Sequence, residues 1–168
     1  YMVRVSGLIE QDEAGISEPA PDGLSPREQL AMVAEMVGPV RLHAAKIWQE
    51  KLRPELEEAG IYTRAFDDLE RKQRTELEEY FVQEIFPLCT PIILHPSSGT
   101  PFISNLSLNL AVELADESGV ERLGRVKVPS GVPRAIRIGK RRHEYILLED
   151  LLQSQLHYLF PGVRILGA

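Results

Sequence analysis

Residues 101–114, PFISNLSLNLAVEL, alternate almost without exception. Leu106, Leu108, Leu110, Val112 and Leu114 fall on one side of an extended chain, and Asn105, Ser107, Asn109, Ala111 and Glu113 on the other. Successive side chains of a strand point to opposite faces, so this spacing predicts a strand over 105–115 with a leucine ladder on the core. Asn is a poor strand residue and Ser adds little to one. A face built from Asn105, Ser107 and Asn109 therefore needs bonding partners. Such a face can be an active-site wall, a packing surface or a solvated face; the expectation carried forward is a scaffold interface, in which these small polar groups bond to an adjoining element or subunit.

The same period of two continues outward. It predicts strands at 89–94, 121–128, 134–138 and 142–148, and a last one beginning in VRILGA at 163–168. Glu149-Asp150 opens a short helix through Phe160, with Leu151, Leu152, Leu156 and Leu159 on one side and Pro161-Gly162 as its stop.

Before Pro87 the period is that of a helix. Ser25-Pro26-Arg27-Glu28 announces one: Ser25 can cap free N–H groups, Pro26 is preset for the first position, and Glu28 can reach back. Leu30, Val33, Ala34, Val37, Ala44, Trp48 and Leu52 form its apolar stripe. Pro39 has no N–H to donate, so Gly38-Pro39 predicts a kink or break. PELEEAG ends a further helical stretch at Gly60. Asp67 with Glu70 resembles a second cap, opening a helix over 68–86 with Leu69, Leu77, Tyr80, Phe81 and Ile85 inward.

Helices first and strands afterwards predict an α+β fold: long amphipathic helices, then a mainly antiparallel sheet with a short helix, its last strands truncated after VRILGA. Residues 11–23, QDEAGISEPAPDG, read as an acidic linker, so a boundary near Gly23 separates residues 1–22 from a main domain at 23–168.

The composition fits a globular protein with a true core: 43% of residues are apolar and mean hydropathy is −0.15. YMVRVSGLIE lacks the apolar stretch of a secretory leader, and the one cysteine, Cys89, excludes an internal disulfide framework. A cytoplasmic setting is the default expectation. Asn105-Leu106-Ser107 matches a glycosylation sequon by chance only.

The net charge of −6 conceals a division. Arg122, Arg125, Lys127, Arg134, Arg137, Lys140, Arg141 and Arg142 put +8 into one acid-free segment, which leaves −14 for the remainder. In RVKV the cations share one face and the valines the other, and Arg137 alternates likewise between Ile136 and Ile138. Two readings follow. The cations are solvated or paired with the acidic helices, or Arg125, Lys127, Arg137, Arg141 and Arg142 contact a polyanion or an acidic partner. Nucleic acid fits poorly, because the segment to residue 148 holds a single aromatic, Tyr145, and the chain as a whole is acidic.

Nothing in the sequence marks a catalytic, cofactor-binding or metal site. His43, His95, His143 and His157 share no ligand spacing, and phosphate-loop, dinucleotide, nucleophile-elbow and HExxH motifs are missing. Cys89 lies among apolar residues as a buried thiol, and the glutamates at 55–58 and 76–79 read as solvated helix faces.

YFVQEIFPLCTPIILHPSSGTPFISNLSLNLAVEL at 80–114, followed by RVKVP at 125–129, closely resembles the middle, or head, domain of the long-chain polyphosphate kinases. DGLSPREQL at 22–30 is similar to the start of that domain, and LEDLLQSQLHYLFPG at 148–162 to its later helix. MVRVSGL at 2–8 resembles the end of the family's helical N-terminal domain. The resemblance implies reversible transfer of the terminal phosphate of ATP to inorganic polyphosphate through a phosphohistidine, with magnesium, in a homodimer or higher homo-oligomer. It implies the remaining domains of the same enzyme as partners, with polyphosphate a further one, and leaves membrane association of the full enzyme open. It places the phosphohistidine and the nucleotide contacts outside this chain, so no such role passes to His43, His95, His143 or His157. Gly38-Pro39 departs from the family, where that helix is uninterrupted.

Overall fold

The computed structural model describes residues 2–95, 103–139 and 143–168. Arg141 and Arg142 of the basic segment lie outside the described residues, as do Pro101 and Phe102 of the alternating stretch. Packing divides the chain into two compact units, Tyr1–Glu55 and Leu56–Ala168.

The first unit is helical. α1 (Met2–Glu13) packs against α2 (Pro26–Ile47), and Arg4 donates to Gln29 Oε1 at 2.6 Å between them. The predicted cap is present: Ser25 N–H donates to Glu28 Oε2 at 2.8 Å, and Glu28 N–H returns to Ser25 Oγ at 3.4 Å. The Ser25 hydroxyl and amide bonds hold the Glu28 carboxyl below its ordinary range. α2 runs through Gly38-Pro39 as one helix, so of the predicted kink or break the break does not occur. One proline removes one hydrogen bond, and at this exposed position water can reach the carbonyl it leaves unpaired. The helical path continues through a π-turn at Trp48–Leu52 into α3 (Arg53–Glu58), and Gly60 follows with φ +80°. Trp48 and Leu52, placed on the buried stripe by spacing, are exposed. The boundary predicted near Gly23 is not where the structure divides, because α1 packs on α2 across the linker.

The second unit holds two sheets and one core. β1 (Ile61–Thr63), β6 (His143–Leu147) and β5 (Ala135–Arg137) form a three-stranded sheet in the order β1-β6-β5, with β1 parallel to β6. β2 (Ile92–Leu94), β4 (Glu121–Lys127), β3 (Asn109–Ala115) and β7 (Arg164–Gly167) form an antiparallel sheet in the order β2-β4-β3-β7. α4 (Arg71–Tyr80) continues into a π-turn at Phe81–Ile85 and contributes Leu77, Phe81 and Ile85 to the core. α5 (Leu148–Ser154) and α6 (Leu156–Leu159) add Leu151, Leu152, Leu156 and Leu159. Val112, Leu114, Val126, Ile136 and Ile146 close the cluster from the sheets. The α+β class and the inward stripe of α4 are as predicted.

Two local expectations fail. The helix predicted from 68 begins at Arg71, because Asp67 sits in a 3-10 turn at Phe66–Asp68 and Glu70 takes the cap position, its N–H donating to Gln73 Oε1 at 3.0 Å. The strand predicted from 105 begins at Asn109. Residues 104–107 turn instead, with Leu106 at φ +55° and 86% exposed, and Leu108 42% exposed. Only Val112 and Leu114 of the five-residue ladder are fully buried. The cause lies in Ser and Asn, whose short side chains bond their own backbone and compete with a sheet ladder.

A candidate anion cavity between the two sheets

The polar residues of the alternating stretch bond among themselves. Ser107 Oγ donates to the Ser104 carbonyl at 2.6 Å, and the Ser107 amide reaches the same oxygen at 3.3 Å. Asn109 Nδ2 donates to Ser107 Oγ at 2.9 Å and to its carbonyl at 3.2 Å. A backbone bond also fastens the turn beside the sheet, Val128 N–H to the Leu108 carbonyl at 2.9 Å. The Ser107 and Asn109 side chains thus find partners within their own turn.

This turn forms one wall of a surface cavity of about 400 Å³. The opposite wall is the end of β4 with Lys127 and the connection to β5 with Ser130 and Arg134. Lys127 is exposed, stands across from Asn109 in the sheet, and places Nζ 3.5 Å from Ser104 Oγ. Arg134 is clamped on Glu149, Nε lying 2.9 and 3.2 Å from the two carboxylate oxygens. Burial pushes the Glu149 carboxyl up, but the Arg134 hydrogen bonds and charge outweigh it and leave it below the ordinary range. Its neighbour Asp150 is raised, first by burial and then by the charge of Glu149. Two cations, three serines and Asn105 line the cavity with apolar side chains, and no carboxylate is among the lining residues.

The predicted cationic ladder is not continuous. Arg125 and Lys127 lie on β4, whereas Arg137 lies on β5 of the other sheet, where it lines a second cavity of about 300 Å³ with Glu76 and Tyr80. Arg122 pairs with Asp116 at 3.6 Å. Much of the local +8 is thus divided between paired groups and separate surfaces. Ser104, Ser130 and Arg134 were not singled out as contacts by sequence. Arg134 had the signal of the basic run, but Glu149 as its partner comes from the fold.

The histidines come from different segments of the chain. His43 lies on α2, and His143 and His157 are exposed, the His157 ring 4.3 Å from that of Tyr158. Among the described residues no three His, Cys, Asp or Glu side chains converge as metal ligands. Cys89 is half-buried and donates to the Ile85 carbonyl at 3.4 Å; burial pushes its thiol up to about 11, which disfavours the nucleophilic thiolate. No helix among the described residues is long and apolar enough to cross a membrane.

Comparison with known proteins agrees with this architecture. Residues 72–168 match the family model described as polyphosphate kinase middle domain, and residues 1–64 match polyphosphate kinase N-terminal domain. Residues 23–64, which the sequence predicted as part of the middle domain, thus fall within the N-terminal match. The polyphosphate kinase of Mycobacterium avium (strain 104) is 40% identical over 176 residues, and that of Mycobacterium ulcerans (strain Agy99) 38% over 175. Each alignment covers 98% of this chain and 24% of the relative, so the chain spans about a quarter of their length. The crystal structure of polyphosphate kinase from Porphyromonas gingivalis superposes with a TM-score of 0.72 at 28% identity, covering 82% of this chain and 24% of that one. With both family models matched in order and the fold shared with a solved relative, the chain belongs to the polyphosphate kinase family.

Proposed function

We propose that this chain is the scaffold and subunit-contact portion of an enzyme that reversibly transfers the terminal phosphate of ATP to inorganic polyphosphate. The family membership carries this reading: the N-terminal and middle domain matches follow one another over nearly the whole chain. In that enzyme a histidine outside these residues accepts the phosphate, splitting one transfer into two, while magnesium and cationic side chains offset the phosphate charge. The enzyme works as a homo-oligomer in the cytoplasm. Exposed histidines and a Cys89 thiol held protonated suit a supporting role for this portion.

The test is phosphate labelling. Incubated with γ-labelled ATP and magnesium, the chain is expected to acquire no acid-labile phosphate, while a full-length relative treated in parallel does. Stoichiometric label on His43, His95, His143 or His157 would overturn the reading. Sedimentation across a concentration series measures whether the subunit contact resides in this portion, and a strictly monomeric chain would remove that part of the proposal.

A further inference from the structure

We infer that the cavity between the 104–108 turn and the β4–β5 connection binds a linear phosphate oligoanion, with Lys127 as its principal cationic contact. The inference rests on the polyphosphate-handling reading above and deepens it by assigning a subsite within this chain. Three observations carry it.

The lining has a sign. In a chain of net charge −6, this cavity presents Lys127 and Arg134 with hydroxyls and an amide, and no carboxylate among its lining residues. The larger cavity beside α4, about 870 Å³, mixes Arg64 and Lys72 with Asp68, Glu70, Glu76 and Glu144. Four acids against two bases there disfavour an anion.

The two cations differ in availability. Arg134 already shares its charge with Glu149 through a bidentate clamp. The polar contact of Lys127 here is a 3.5 Å approach to the neutral Ser104 hydroxyl. Lys127 therefore supplies the net positive charge, and the serine hydroxyls can donate to further oxygens.

The size and the apolar part decide the ligand class. A volume of about 400 Å³ lies in the range of small-molecule sites and exceeds what one small ion needs. Among the described residues the apolar lining, including Leu106, Leu108 and Val132, is aliphatic, so none of these side chains offers a ring to stack a nucleotide base. An inorganic phosphate chain fits these walls better than ATP does.

The chain is titrated with sodium tripolyphosphate, orthophosphate and ATP in magnesium-free buffer, followed by amide NMR shifts. Tripolyphosphate is expected to move amides of 104–108 and 127–134, more tightly than orthophosphate and at least as tightly as ATP. Raising salt from about 20 to about 150 mM should weaken binding, since an exposed site is screened at that distance scale. Lys127→Gln should weaken tripolyphosphate by about tenfold or more, the worth of a charge-assisted contact. Arg137→Gln, in the other cavity, should leave it unchanged. Unaltered melting temperatures establish that both variants fold. Shifts confined to other surfaces, equal affinity in Lys127→Gln, or clearly tighter binding of ATP would overturn the assignment, as would no binding at low salt. Failure here leaves the transfer reading standing, whereas phosphate label on a histidine of this chain defeats that reading without touching the cavity.

Discussion

Gly124 and Phe160 stand so close that a methyl group on the strand would overlap the ring. A Cβ at Gly124 would lie 2.9 Å from Phe160 Cζ and 2.8 Å from Leu114 Cδ1. Phe160 is 3% exposed and Leu114 1%, so neither can move aside into solvent. Gly124→Ala is therefore expected to destabilise by about 1–3 kcal/mol, the usual cost of overpacking a core. Thermal unfolding checks it, and a second change, Phe160→Leu, should recover part of the loss. A melting point at or above that of the parent would show that the ring yields.

Leu106 tests the turn. A leucine at φ +55° costs about 1 kcal/mol relative to a residue at home in the left-handed region, and at 86% exposure its side chain buries little. Leu106→Asn should raise stability by roughly 0.5–1 kcal/mol in denaturant unfolding. If the residue belonged to a core-facing ladder, the same change would instead destabilise by several times that amount.

Asp116 and Asp150 should respond to acid in opposite senses. The Ser118 hydroxyl and the Val120 amide lead in holding the Asp116 carboxyl below its ordinary 3.8, with burial opposing them and Arg122 assisting. Its stabilising effect is present above pH 3.8 and lost as pH falls through the lower folded value. Burial, then the Glu149 charge, raises Asp150 above 3.8, so its relative benefit exists below 3.8 and disappears as pH rises through the folded value. Asp116→Asn should lower the melting temperature at neutral pH and flatten its acid dependence. Asp150→Asn should raise the neutral melting temperature and change little at pH 3. Parallel acid profiles for the two variants would refute the assignment.

Ser25 offers a local test of the helical unit. Removing its hydroxyl leaves the Glu28 amide without its cap partner, at a cost of about 1 kcal/mol. Ser25→Ala should speed hydrogen exchange in the first turn of α2, while the amides of β3 and β4 keep their protection. Uniform loss across both units would mean that the cap has more than local reach.

Much of the fold was legible because strong periods and strong caps agree. Ser25-Pro26-Arg27-Glu28 predicts its helix to the residue, and Leu69, Leu77, Phe81 and Ile85 are buried as their spacing requires. The miss at 105–108 has a definite source. Alternation there coincides with residues that prefer to bond their own backbone, and in this segment turn chemistry prevails over the pattern. β1 was invisible because three residues after Gly60 carry no period, and their pairing with β6 depends on contacts some 80 positions away. The basic run was plain, yet its partition was not. Asp116 and Glu149 neutralise two of its arginines, and only the folded chain brings them there.

The connection that leaves β4 at Val128 and enters β5 after Arg134 is fastened to a different sheet at each end. Val128 N–H bonds the Leu108 carbonyl beside the four-stranded sheet, and the Arg134 carbonyl accepts from Leu148 N–H at the end of β6. The Arg134–Glu149 clamp reinforces the second fastening. A sliding of one sheet past the other would have to pass through this short tether, and the tether is also a wall of the cavity. The cavity wall is in consequence tied to both sheets at once, and a change in their alignment would be felt first in that tether.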